Sequence, residues 1–176
     1  YKRQDMKKRL IRVREEDAAA LAILGREIWE EHYTSILGPE QVAYMVREFQ
    51  SEPAVLHQMR EEQYVYWFFT VDGARAGYLG VQPKEDGSLY LSKLYIAKRF
   101  RGLGLSRLAL NFLMGWCAAR GLSKIWLTVN KYNDGSIAAY EALGMKRVRD
   151  QVADIGGGFV MDDYVYEIDV PEGGTK

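Results

Sequence analysis

The chain of 176 residues has one cysteine, four prolines, two histidines and no excess of charge, with 24 Lys and Arg against 24 Asp and Glu. A single cysteine excludes an internal disulfide. Cys117 lies on the apolar side of its segment, so it reads as a core thiol. His32 and His57 lack partners at metal-ligand spacing, so no metal is expected. The zero net charge gives no general pull towards nucleic acid or an anionic membrane, and neither is expected as a partner. No apolar run is long enough to span a bilayer. Lys7, Lys8 and Arg9 are followed only by Leu10 and Ile11 before Arg12, too little for a signal-peptide core. The expectation is a cytoplasmic protein with Met6 as its natural start. It should form one domain over 1–176, with free ends at 1–6 and 171–176.

Aromatic and aliphatic residues are plentiful, and their spacing resolves into elements. Leu10 to Arg14 reads as a strand; Asp17 then caps a helix with a stripe of Leu21, Leu24 and Ile28, beside Trp29 and Tyr33. Gly38-Pro39 ends it and opens a second helix to about Phe49; Pro53 opens a third ending near Glu62. Tyr64 to Val71 is apolar on both faces, and Asp72-Gly73 turns it into a hairpin with Ala76 to Val81. Leu89 to Ile96 is a strand, and Leu105, Leu108, Ala109, Phe112, Leu113, Trp116 and Cys117 form a helical stripe. Ser123 to Val129 is another strand. A helix through Tyr140 follows, then two closing strands at Lys146 to Val152 and Phe159 to Val170, joined by three glycines. The class is α/β.

Between a strand and a helix stands Arg99-Phe100-Arg101-Gly102-Leu103-Gly104. Glycines in a turn that feeds a helix N-terminus let unpaired amides approach an anion closely. It is neither a Walker loop nor a dinucleotide fingerprint: no Gly-Lys-Ser/Thr follows, and Arg107 occupies the third glycine position. Tight packing alone also accounts for such glycines.

A second block, Asn130-Lys131-Tyr132-Asn133 and then Ser136-Ile137-Ala138-Ala139-Tyr140-Glu141-Ala142-Leu143-Gly144-Met145, follows in order. With it the chain resembles the GNAT superfamily of acyl-CoA-dependent N-acetyltransferases. Arg99, Gly102 and Gly104 match that family's Gln/Arg-x-x-Gly-x-Gly/Ala pattern, and Met145 stands where phenylalanine is commoner. The two blocks cover roughly 89–147. The resemblance implies a mixed, twisted central sheet with helices on both faces and a splayed cleft for acyl-CoA. It also implies direct attack of an amine on the thioester of acetyl-CoA.

The same resemblance distributes roles. The amides of Arg101, Gly102, Leu103, Gly104 and Leu105, with Ser106 in the first helical turn, would clasp the pyrophosphate. Backbone groups of Leu94 and Ile96, with Tyr95 between, would pair with the pantetheine arm. Asn133 would hydrogen-bond the cofactor, while Asn130 serves equally well as a turn residue. Tyr140 would supply a hydroxyl to the departing sulfur; a core aromatic is the alternative. No base is singled out: Glu27, Glu30, Glu31, Asp162 and Asp163 are the available acids.

The acceptor is expected to be a small-molecule amine. Trp29 and Tyr33 share a helix face and, with Asp162 and Asp163, would suit a cation, although core packing explains the aromatics equally. The Trp/Tyr-rich first helix, and the Trp126 strand leading to Asn133, are similar in layout to the bacterial spermidine/spermine acetyltransferase branch. Amino acids and protein N-termini stay open as acceptors. A CoA-binding module without catalysis is the rival, against which Tyr140 argues. A homodimer through an edge strand, with Tyr64 to Val71 as a candidate edge, is the remaining expectation.

Overall fold

A computed structural model describes residues 5–172. The expected free ends fall largely outside them. Seven strands form one mixed sheet among the described residues: β1 (Lys8–Arg12), β2 (Val65–Val71), β3 (Ala74–Pro83), β4 (Ser88–Ile96), β5 (Lys124–Asn130), β6 (Lys146–Gly156) and β7 (Phe159–Asp169). Their order is β1-β2-β3-β4-β5-β7-β6. Strands β4 and β5 pair in parallel, with Ser88, Leu89 and Tyr90 opposite Lys124, Ile125 and Trp126. The helices are α1 (Ala18–Leu37), α2 (Pro39–Met45), α3 (Glu52–Glu61), α4 (Leu105–Arg120) and α5 (Asp134–Ala142). The chain divides into two compact units, one up to Gln82 plus Lys93–Leu105, the other Pro83–Ser92 plus the chain from Ser106.

In the first unit, β2 lies between β1 and β3. Tyr66, Trp67, Phe68 and Phe69 are all buried, as a continuous apolar run requires of a strand covered on both faces. This corrects the expectation of an edge at Tyr64 to Val71: β1 and β6 are the outer strands of the sheet. Asp72 and Gly73 both take positive φ (49° and 82°), the hairpin geometry that matches strand twist. Helix α1 buries Ala18, Leu21, Gly25, Ile28, Trp29 and Tyr33, a stripe at helical spacing. Ala18, Leu21 and Ile28 pack with Val55, Tyr66, Phe68, Tyr78 and Ala97 into one core.

Asp17 does not cap α1 with its side chain. Its carboxylate instead accepts from the Arg14 amide at 3.0 Å, securing the turn that leads into the helix. Ser51 caps α3, accepting from Ala54 N at 3.4 Å.

Within this core lies a polar group that periodicity did not disclose. Lys93, only 4% exposed, sends Nζ to the Phe49 carbonyl (2.6 Å) and Gln58 Oε1 (3.0 Å). The Tyr66 hydroxyl donates to the same Gln58 oxygen, and the Tyr78 hydroxyl donates to Gln50 Oε1 at 2.6 Å. Burial lowers the Lys93 pKa to about 7. These bonds tie the end of β4 to the π-helical turn Val46–Gln50 and to α3.

In the second unit β7 lies between β5 and β6. Helix α4 buries Leu105, Ala109, Leu113 and Cys117 along one line, with Leu110. Leu108, Phe112 and Trp116, expected on the same stripe, are only half-buried. Cys117 is fully buried and burial pushes its thiol up to about 11, so it is a core residue. No helix among the described residues is long and apolar enough to cross a membrane.

Candidate active site

The first unit carries the turn. Strand β4 closes where Ala97 N donates to the Ala76 carbonyl at 2.8 Å, and a 3-10 turn over Lys98–Phe100 follows. Gly102 and Gly104 take φ of 76° and 77°, a left-handed conformation that side chains resist. A Cβ built on Gly104 meets nothing within 4 Å, so the glycine answers to backbone conformation and leaves space beside the chain. Leu105 then starts α4 and is itself buried. Arg99 stacks on Phe100, its guanidinium 4.8 Å from the ring centre.

Two α1 residues hold this turn. Glu31 accepts from the Lys98 amide at 2.9 Å, and His32 Nδ1 lies 3.0 Å from Arg101 Nη2. Arg101 Nε also reaches the Ile96 carbonyl at 3.4 Å. Glu31 is thus a positioning group for the turn. Leu94, Tyr95 and Ile96 are half-exposed at the end of β4. Trp29 and Tyr33 are buried, with ring centres 4.4 Å apart, and both pack edge-on to Tyr95 at 5.2 and 6.2 Å. The two aromatics therefore brace Tyr95. Gly77 permits the approach of β3: a Cβ there would stand 2.1 Å from the Tyr95 carbonyl oxygen.

The second unit carries the rest. Ser106 is half-buried in the first turn of α4. Asn130 is buried, and its Oδ1 accepts from Tyr132 N at 2.9 Å, a turn at the end of β5. Asn133 is buried too and caps α5, accepting from Ser136 N at 3.3 Å. Tyr140 is half-exposed on a helix that buries no residue fully. Asp162 pairs with Lys131 at 2.8 Å, and Lys131 also reaches Asp150 at 3.3 Å. Asp163 is buried on β7, and burial, with Asp162 adding to it, raises its carboxyl to about 6. No cluster of ligands fit for a metal occurs among the described residues.

The sequence pattern of the Acetyltransferase (GNAT) family matches residues 25–145, and the chain belongs to that family. It is an acyl-CoA-dependent N-acetyltransferase with acetyl-CoA as its acyl donor. It is 22% identical over 155 residues to an uncharacterized N-acetyltransferase in the pepI 3' region of Lactobacillus delbrueckii subsp. lactis, covering 84% of this chain and 90% of that one. Its fold is similar to the PaiA N-acetyltransferase from Thermoplasma acidophilum in complex with coenzyme A: TM-score 0.75, 20% identity, 94% and 99% of the chains covered. The ribosomal-protein-S18-alanine N-acetyltransferase of Escherichia coli is similar at TM-score 0.67 and 20% identity, over 96% and 97% of the chains.

Proposed function

We propose that this acetyltransferase moves the acetyl group onto a primary amine of a small molecule, with polyamines as the first candidates. The observation that carries the cofactor side is the turn at Gly102 and Gly104, both left-handed and followed directly by α4. Amides of Arg101 to Leu105 and Ser106 are the groups proposed to clasp the pyrophosphate, with the helix dipole adding a few tenths to about 1 kcal/mol. The Arg101 guanidinium is engaged with His32 and Ile96, which fixes the turn. Leu94 and Ile96 are proposed to pair with the pantetheine arm. Asn133 and Asn130 supply side-chain amides to the cofactor beyond their turn and cap bonds. Tyr140 donates to the leaving sulfur. Support for a small acceptor comes from the balanced charge, which offers no broad electrostatic surface for a macromolecule.

The test is thiol release from acetyl-CoA against putrescine, spermidine, lysine and an alanyl peptide. Turnover of a polyamine or amino acid is expected, and turnover of the peptide alone would move the acceptor to protein N-termini. Gly104→Val checks the cofactor side. A β-branched residue at this φ costs about 1–2 kcal/mol. Calorimetry is expected to show at least a tenfold weaker acetyl-CoA affinity; an unchanged affinity would remove the turn from the cofactor site.

A further inference from the structure

Residues 29–33 of α1 reach the glycine turn and the strand before it at three places, all within the first unit. Trp29 and Tyr33 pack on Tyr95, Glu31 accepts from the Lys98 amide, and His32 Nδ1 meets Arg101 Nη2. Tyr95, Lys98 and Arg101 lead in that order to Gly102. A turn built on two glycines has many conformations open to it, and outside contacts narrow them. About one and a half turns of helix supply those contacts here.

The contact of His32 with Arg101 depends on protonation. A guanidinium carries donors only and keeps its charge, so the imidazole nitrogen that faces it at 3.0 Å must accept. Nδ1 accepts only when it bears no proton, which puts the one proton of the neutral ring on Nε2. Protonation makes Nδ1 a donor and sets a second positive charge against the first. Arg101 then keeps the longer bond to the Ile96 carbonyl, 3.4 Å, and Glu31 is left to tie the turn to α1.

We propose that His32 is a positioning residue for this turn and holds it only as the neutral imidazole, so that acetyl-CoA binds more weakly once His32 is protonated. This rests on the reading of the turn as the pyrophosphate site, and adds the group that sets its alignment. Imidazole changes charge between about pH 5 and 8, the range in which a guanidinium does not. His32 is half-buried, with its ring edge-on to Tyr33 at 4.6 Å. Its neighbours one helical turn away are Ile28, Trp29, Ser35 and Ile36, none of them charged. On the elements packed against α1, Arg47 pairs with Glu48, Arg60 pairs with Glu15, and Glu40 is the one acid of α2. Arg101 is the cation that the structure sets against the ring. Water can replace either partner at this exposed contact, so the effect is one of alignment and moderate in size.

The experiment is calorimetry of acetyl-CoA with the wild type, His32→Gln and His32→Ala between about pH 5.5 and 8.5. Glutamine offers the guanidinium a carbonyl oxygen and does not titrate, so H32Q is expected within about twofold of the wild-type affinity at pH 8. H32A removes the acceptor and is expected to bind about three- to tenfold more weakly there. From pH 8 to 5.5 the wild type is expected to lose about three- to tenfold relative to H32Q. The phosphate monoester of acetyl-CoA titrates near about 6, but equally with both proteins, so their ratio removes it. An H32A affinity within about twofold of wild type at pH 8 overturns the proposal and leaves the cofactor site in place. So does H32Q binding as weakly as H32A, and so does a wild type that runs parallel to H32Q across the pH range. Should H32A melt much earlier than the wild type, the comparison of wild type with H32Q decides. Absence of acetyl-CoA binding in the wild type overturns the cofactor reading and this proposal together.

Discussion

Tyr140→Phe is expected to lower kcat about 10²- to 10³-fold, while acetyl-CoA affinity changes less than about threefold, within the usual span of losses for a general acid. The thiolate that leaves acetyl-CoA is the poorer partner of this exchange, and a proposed phenol donor acts only as its charge develops. A contact made in the transition state shows in kcat, whereas one made equally with the ground state shows in KM. The substitution is a clean one for this position. Helix α5 buries no residue fully, and phenylalanine keeps the ring, so folding stability should change by under about 1 kcal/mol. Steady-state kinetics with a thermal melt read both numbers. An unchanged kcat would remove Tyr140 from the mechanism, and a matched loss in affinity would make it a cofactor contact instead.

Lys93 is expected to make the protein more stable as pH rises from about 7 to about 10. The unfolded chain holds the Lys93 proton up to its ordinary pKa near 10.4. The folded chain releases it at about 7, because burial disfavours the ammonium. Between those values the unfolded state binds more protons, so the stability of the fold climbs with pH. A shift of this size corresponds to at most roughly 5 kcal/mol. Tyr66 and Tyr78 work in the opposite sense above pH 10: burial raises both phenols, so the unfolded chain ionises first and stability falls again. Urea denaturation at stepped pH should therefore trace a maximum near pH 10. Lys93→Met should flatten the rise between 7 and 10 while keeping the fall above it. At high pH that variant is also expected to be less stable by about 1–3 kcal/mol, since the Phe49 carbonyl and Gln58 lose their donor. Parallel profiles for the two proteins would show that Lys93 is not the titrating group.

Local pattern carries far where short-range physics dominates. The two-sided apolar run of β2, the Asp72-Gly73 hairpin, the Gly38-Pro39 break and the Gly102/Gly104 turn follow from φ preferences and from periods of 2 and 3.6 residues. Each stands where the sequence puts it, give or take a few residues at strand ends. The family blocks were legible for the same reason: a strand, a glycine turn and a helix start are contiguous in the chain.

The sequence alone determined the element order, the left-handed glycine turn and the positions proposed for the cofactor, because each depends on neighbours within a few residues. Only the tertiary structure decided three other things. Strand order makes β2 internal rather than an edge. Packing turns Trp29 and Tyr33 into a brace for Tyr95, and sets the exposed Glu31 against the turn as an acceptor for Lys98. Register and burial separate Asp163 from Asp162, adjacent in the chain and alike in chemistry: one lies buried, the other is half-exposed and paired with Lys131. Successive residues of a strand point to opposite faces. What each carboxylate meets there depends on strands and side chains tens of residues away, and no local pattern records that.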